Sequence, residues 1–282
     1  MARHRIRDEI RSLDPVRDNQ RICYLDSTFE FPFDMTRALE FALFRTFASE
    51  RISSLLARTG EFTERPQKRY DDTDLIISEI YASGYESERG LAAIRRMNQQ
   101  HGRFQIADED MRYVLSTFVL EPIRWLDRFG WRPMDAEEKR AQFEFWRQVA
   151  RRMNIQDIPE SLEAMEAFNQ AYEAAHFHFA PSNHRVAESV REMFIGWLLP
   201  RPLRFLGRPV VHALMDDRLL AACGFPPVSP TWRALVEAGV RLRARALRFF
   251  PPRRRPLLRT QLPRPKTYPD GWELEKLGPE GT

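Results

Sequence analysis

Apolar residues along most of the chain recur at intervals of three and four, the spacing that places them on one face of an α-helix. Leu39, Leu43 and Phe47 follow one another at i, i+4 and i+8, and Phe44 widens the stripe. Later apolar stretches have the same period and end at glycines or prolines. No stretch shows the strict alternation of a half-buried strand. The pattern predicts an all-α fold, a single multi-helix domain.

The chain divides into three parts by composition. Residues 1–34 are mostly polar and are interpreted as a lead-in to the fold. Residues 35–250 contain the helical pattern and should form the domain. Residues 251–282 form a basic, Pro-rich tail that we expect to be extended.

One predicted helix begins with polar residues on an apolar face. Arg69, Asp72 and Thr73 lie at i, i+3 and i+4, in line with Ile76 and Ile80 one and two turns later. These side chains could belong to a site. They could equally be the solvent end of an ordinary helix.

The next predicted helix places a histidine at its end. Gly90, Ile94, Met97 and His101 occupy one face at i, i+4, i+7 and i+11, just before Gly102. A helix-capping or core histidine explains this position, because a histidinium interacts favourably with the C-terminal dipole. A buried neutral imidazole that holds a heme iron explains it as well.

Charge and cysteine usage restrict the remaining possibilities. The net charge is +4, but eleven Arg and Lys against one acid fall between Arg233 and Lys266. This basic stretch, residues 231–266, could lie on an anionic membrane surface, or it could be a solvated tail. The two cysteines, Cys23 and Cys223, form no metal or disulfide motif.

The amino-terminal sequence lacks the apolar core of a signal peptide, and we expect no transmembrane helix. A cytoplasmic protein, peripheral to a membrane at most, is the expectation. Phosphate-binding loops, nucleophile elbows and HEXXH are absent, and no nucleic-acid-binding motif accompanies the basic stretch. His176 and His178, two positions apart, point to different sides of a helix and make a weak metal site.

Four blocks resemble one known family. They are RPQKRYDDT (65–73), AIRRMNQQHGRF (93–104), LSTFVLEPIRWLDRFGWRPM (115–134) and NIQDIP (154–159). Together, over roughly residues 35–200, they are similar to the MpaB and latex-clearing-protein (rubber oxygenase) family, more to its MpaB-type branch. The resemblance implies an all-α fold and oxygenases that cleave carbon–carbon double bonds of polyisoprenoid chains with O2.

The resemblance also implies a cofactor and its ligand. Latex-clearing members bind heme b through one histidine, which corresponds to His101, in a pocket between central helices. Their distal Arg-x-x-Lys-Thr motif corresponds to Arg69, Asp72 and Thr73, so Arg69 and Thr73 would donate hydrogen bonds to O2. Phe118, Trp125 and helix 35–58 would supply the apolar walls.

Position 72 departs from the family pattern, because Asp72 stands where the motif has a lysine. We expect Asp72 to tune the distal side or relay a proton, since a carboxylate does not replace an amine ligand. Glu50 and Glu61 both remain candidates for a catalytic glutamate.

Two functions follow as hypotheses. The first is a heme b oxygenase acting with O2 on an unsaturated, hydrophobic, prenyl-like substrate. The second is a non-catalytic helical protein on a membrane surface.

Overall fold

The computed structural model describes residues 5–261 and 266–279, and these form fourteen α-helices. An isolated bridge between Ser49 and Phe177 is the one β pairing in the described residues. The all-α, single-domain prediction is therefore confirmed. The helices are α1 (Arg5–Ser12), α2 (Asn19–Leu25), α3 (Pro32–Phe47), α4 (Glu50–Thr59), α5 (Glu61–Glu64), α6 (Pro66–Ser83), α7 (Glu88–His101), α8 (Asp108–Phe129), α9 (Ala136–Arg152), α10 (Leu162–His176), α11 (Pro181–Leu198), α12 (Arg204–Ala213), α13 (Asp217–Ala222) and α14 (Pro230–Leu247).

Local sequence explains several helix ends. Gly60 takes the left-handed conformation (φ 73°) that stops α4, and Asp135 with Glu138 forms a capping box at the start of α9. Ser87 caps α7, because its hydroxyl accepts a hydrogen bond from the Gly90 amide at 2.9 Å. Asp108 is the first residue of α8, where its charge favours the helix amino end.

The helices pack around one large apolar core and two smaller ones. The main core includes Ile6 and Ile10 of α1 and Ile22 and Leu25 of α2. The described part of residues 1–34, which were expected as a polar lead-in, therefore contributes helices that bury apolar side chains. None of the described helices combines the length and the hydrophobicity that crossing a bilayer requires.

α6 and α7 form a helical hairpin that positions the candidate site. The turn between them spans only four residues, so the two helices run antiparallel and the end of α7 lies beside the start of α6. A Cβ at Gly90 would meet the Gly84 carbonyl oxygen at 1.8 Å, so this close approach requires glycine. The hairpin brings Arg69 and His101 to the same end.

The carboxy-terminal residues fold back onto this hairpin. We call residues 256–261 and 266–279 the C-terminal strap. Leu274 and Leu277 are buried in the main core, and Trp272 packs against it. The tail was expected to be extended. Over its described residues it instead packs on α6 and α7, which lie far from it in the sequence.

Candidate functional site

His101 and Arg69 face each other at the open end of the α6–α7 hairpin. The imidazole Nδ1 of His101 is buried and has no hydrogen-bond partner within the described residues. Burial, and next the positive charge of Arg69, lower the pKa of His101 to about 4. The imidazole is therefore neutral at physiological pH, which is the form that binds iron.

The Arg69 guanidinium is held by two neighbours. It donates a hydrogen bond to the Thr73 hydroxyl, and its Cζ lies 5.0 Å from the ring centroid of Phe62. Burial lowers the pKa of Arg69, while the charges of Asp72 and Glu61 raise it. Arg69 and Thr73, predicted together from helical spacing, are thus in direct contact.

The structure separates the two candidate glutamates. Glu61 of α5 is buried and close enough for its charge to act on Arg69. Its Oε1 accepts a hydrogen bond from Arg65 at 2.5 Å, and its Oε2 is buried without a partner in the described residues. Glu50 lies on the surface instead, with Oε2 3.4 Å from His178 Nε2. Glu61 is the glutamate that belongs with Arg69.

Asp72 is turned toward the strap. Its Oδ2 accepts a hydrogen bond from Lys68 Nζ at 2.9 Å, and its Oδ1 accepts one from the Tyr268 hydroxyl. Lys68 Nζ also donates to the Gly278 carbonyl at 2.5 Å. The contact between Lys68 and Asp72 is an i,i+4 pair that helical spacing indicates, whereas no local pattern around residue 72 could have revealed the contact with Tyr268.

The expected aromatic walls lie in two different clusters. Phe118 packs on Trp146, with centroids 4.7 Å apart, against the main core. Trp125 stacks on Phe41 at 5.3 Å and donates from Nε1 to Asp34 at 3.2 Å. The structure does not bring these two rings together around His101.

Two cavities stand out on the surface, and His101 lines neither. One, of about 420 Å³, lies between α8, α9 and α10, with Leu120 and Leu162 in its wall. The other, of about 290 Å³, contains Glu50, His176 and His178. Neither of these two cavities corresponds to the heme pocket that was expected at His101.

The donor chemistry around His101 nevertheless fits a heme iron. A half-buried neutral imidazole with a buried, unused ring nitrogen is available, and the half-buried guanidinium of Arg69 stands beside it. No group of three His, Cys, Asp or Glu residues in the described part of the chain could chelate a metal ion. A cofactor that needs one protein ligand suits this arrangement.

Comparison with known proteins gives concordant matches. A family model described as "ER-bound oxygenase mpaB/B'/Rubber oxygenase, catalytic domain" matches residues 41–249. ER-bound oxygenase mpaB' of Penicillium brevicompactum is 31% identical over 243 residues, which cover 80% of this chain and 57% of that protein. ER-bound oxygenase mpaB of Penicillium roqueforti is 31% identical over 211 residues, 68% of this chain and 70% of that protein. The chain thus spans between about half and two thirds of these relatives.

Proposed function

The chain belongs to the ER-bound mpaB/B' and rubber oxygenase family, and we propose that it is a heme b oxygenase for an unsaturated, prenyl-like substrate. The observation that carries the cofactor is the buried His101 Nδ1 without a partner, next to Arg69. The names of the relatives support the oxygenase class.

The proposed reaction is oxidative cleavage of a carbon–carbon double bond. The C=C bond breaks, each carbon receives one atom of O2, and two carbonyl products result, so no external reductant is needed. Heme b, when bound, supplies the redox-active iron for this chemistry.

This chain's own residues would divide the remaining work. His101 would hold the iron, because its imidazole is neutral and its surroundings keep it so. Arg69 and Thr73 would orient and polarise O2 through N–H and O–H donors. Glu61, with one unpartnered oxygen, would accept or return a proton beside Arg69. Asp72, predicted as a tuning or relay group, would act on Arg69 through its charge while it holds the strap.

An absorbance spectrum tests the cofactor and its ligand. Protein expressed with ample heme should show a Soret band, and His101→Ala should lose it. His212→Ala is the matched control, because His212 is also buried and its pKa is likewise lowered to about 4 by burial. A Soret band of full strength in folded His101→Ala would refute the ligand assignment.

Oxygen uptake with a polyisoprenoid substrate tests the reaction. Thr73→Val should keep the Soret band but consume O2 more slowly, because one hydroxyl donor is lost while the side-chain shape is kept. Carbonyl products trapped as hydrazones should appear in proportion to the O2 consumed. O2 consumption without carbonyl products would point to a different oxygenation.

A colourless, folded protein would favour the alternative of a non-catalytic helical protein on a membrane surface. The relatives are named as ER-bound oxygenases. By analogy we propose that this chain also works at a membrane surface, where a hydrophobic substrate would be concentrated.

A further inference from the structure

Exposed apolar side chains are concentrated in one part of the molecule. Nine of the thirteen large hydrophobic residues that stand exposed in the described chain lie between residues 198 and 250. They are Leu198, Leu203, Phe205, Leu206, Val210, Leu235, Leu242, Phe249 and Phe250. Single exposed hydrophobic residues are ordinary, but a concentration of this kind indicates a binding surface.

Helical spacing orders these side chains into two stripes. Leu203, Leu206 and Val210 follow at i, i+3 and i+7 along α12 and its lead-in, while Leu235, Leu242 and Phe249 recur every seven residues along α14 and just beyond it. The two helices pack together, since α11 contacts α12 and α12 contacts α14. Trp232 Nε1 donates to the Pro209 carbonyl at 3.0 Å at this junction.

The opposite side of α14 is attached to the helical domain. Arg243 Nη1 donates to Asp34 Oδ1 at 3.1 Å, and Arg248 Nε donates to the Trp131 carbonyl at 3.1 Å. Ala244 is buried between these arginines. Because these contacts hold the other side of α14 against the domain, the stripe through Leu242 faces solvent.

Positive charge surrounds the same stripes. Residues 198–213 contain three arginines and residues 238–255 contain seven. Three of these ten are paired with acids: Arg208 with Glu192, Arg241 with Glu237 and Arg243 with Asp34. Arg253, Arg254 and Arg255 are exposed immediately after Phe249 and Phe250. We call α12, the outer stripe of α14 and residues 249–255 the basic apolar surface.

We propose that the basic apolar surface docks on an anionic lipid bilayer. The leucines and phenylalanines would enter the headgroup region, and the arginines would pair with lipid phosphates and carboxylates. A second copy of this chain would bring arginines against arginines, which opposes self-association. A nucleic acid would match the charge but leave nine large apolar side chains without a partner.

This surface differs from the basic segment predicted from sequence. Residues 231–266 were expected to contact the membrane, but Arg259 is engaged by Asp74 and Lys266 lies over the Trp197 ring. The structure moves the proposed contact away from the strap and adds α12. The inference does not depend on heme, and a colourless protein would leave it unchanged.

Flotation of the full chain with vesicles tests the proposal. It should float with phosphatidylcholine vesicles that contain a third phosphatidylserine and much less with phosphatidylcholine alone. Phe249→Ser/Phe250→Ser should weaken binding about tenfold or more, because two apolar anchors are lost. Arg253→Ala/Arg254→Ala/Arg255→Ala should weaken binding by a similar factor on anionic vesicles only.

Two measurements keep the outcome interpretable. Phe179→Ser removes an exposed phenylalanine outside the surface and should float like the parent chain. The helical circular dichroism signal should be equal in all variants. Equal flotation of the parent and both surface variants, or none by the parent, would overturn the proposal. So would a dimer or an RNA complex that forms through Phe249 and Phe250 without any vesicle binding.

Discussion

Two regions near the carboxyl end both contain basic residues and large apolar side chains. One region leaves its apolar side chains exposed, and the other buries them in the fold. The basic apolar surface leaves Leu242, Phe249 and its three consecutive arginines exposed. The strap buries Leu274 and Leu277 in the main core. Both regions contain prolines and basic residues, but the strap also contains acids, among them Asp270 and Glu273. What distinguishes the strap is a group of carboxylates elsewhere in the fold that accept hydrogen bonds from it.

Those acceptors belong to the acidic start of α6. Asp74 receives Arg259 through both carboxylate oxygens, at 2.6 and 2.9 Å, and Asp71 receives the amide and hydroxyl of Thr267 at 3.0 and 2.6 Å. Asp72 receives Tyr268. The same helix that carries Arg69 and Thr73 is therefore the one that binds the strap, whereas Arg253, Arg254 and Arg255 of the basic apolar surface remain exposed.

The largest expected contrast comes from two leucines. Leu277→Ala should lower the free energy of unfolding by about 2–5 kcal/mol, because it leaves a cavity in the main core. Leu242→Ala should change it by less than about 0.5 kcal/mol, since the side chain is 65% exposed. Urea unfolding of both variants measures the difference. Similar losses would mean that the strap is not part of the cooperative fold.

A second prediction concerns Glu40, beside the strap's Arg259. Glu40 accepts hydrogen bonds from the Tyr70 hydroxyl at 2.8 Å and from Arg37 at 2.6 Å. Burial raises its pKa to about 7, while the charges of Arg37 and Arg259 lower it and Asp74 raises it. The folded state therefore holds this proton more tightly than the unfolded state.

Stability should consequently fall as the pH rises from about 4.5 to about 7 and change no further above that value for this group. The loss amounts to at most about 3 kcal/mol. Glu40→Gln should remove this part of the pH dependence. Urea unfolding at pH 5 and pH 8 compares the two proteins, and parallel pH profiles would contradict the assignment.

A smaller contrast is expected between two arginines. Arg259→Ala should cost about 1–2 kcal/mol, because Asp74 loses a bidentate partner in a partly buried setting. Arg254→Ala should leave the free energy of unfolding within about 0.5 kcal/mol of the parent value. Asp74→Asn in the Arg259→Ala background should add little, since the pair is already broken.

The smallest stability effect is expected at the proposed bilayer contact. Phe249→Ser/Phe250→Ser should shift the unfolding midpoint by no more than the experimental scatter, because both rings are exposed. The same variant should show the large loss of vesicle binding described above. A marked destabilisation would mean that these rings pack within the domain and are unavailable to lipid.

Much of the fold could be predicted from local sequence. The 3.6-residue period identified the helices, and it placed Arg69 and Thr73 on one face and His101 at the carboxyl end of α7. The turn between α6 and α7 is short, so the proximity of Arg69 to His101 follows from those predictions. Iron as the reason for His101 came from the family resemblance and remains a proposal.

The rest depends on contacts between distant parts of the sequence. Tyr268 donates a hydrogen bond to Asp72 although the two residues lie 196 positions apart. No residue near Asp72 in the sequence indicates this contact. Ile6 and Ile10 are spaced as a helix face, a signal that could have identified α1 within residues 1–34. The pairing of Glu61 with Arg69 depends on how α5 turns into α6, which no residue pattern specifies.

The return of the strap to α6 has a consequence for synthesis on the ribosome. At about 5–20 residues per second, the ribosome needs about 10–40 s to add the 196 residues that follow Asp71, up to and including Thr267. During that interval the acidic start of α6 lacks its partners, and the groove for Leu277 is open. The nascent chain thus passes through a long window in which a chaperone could bind where the strap will later lie.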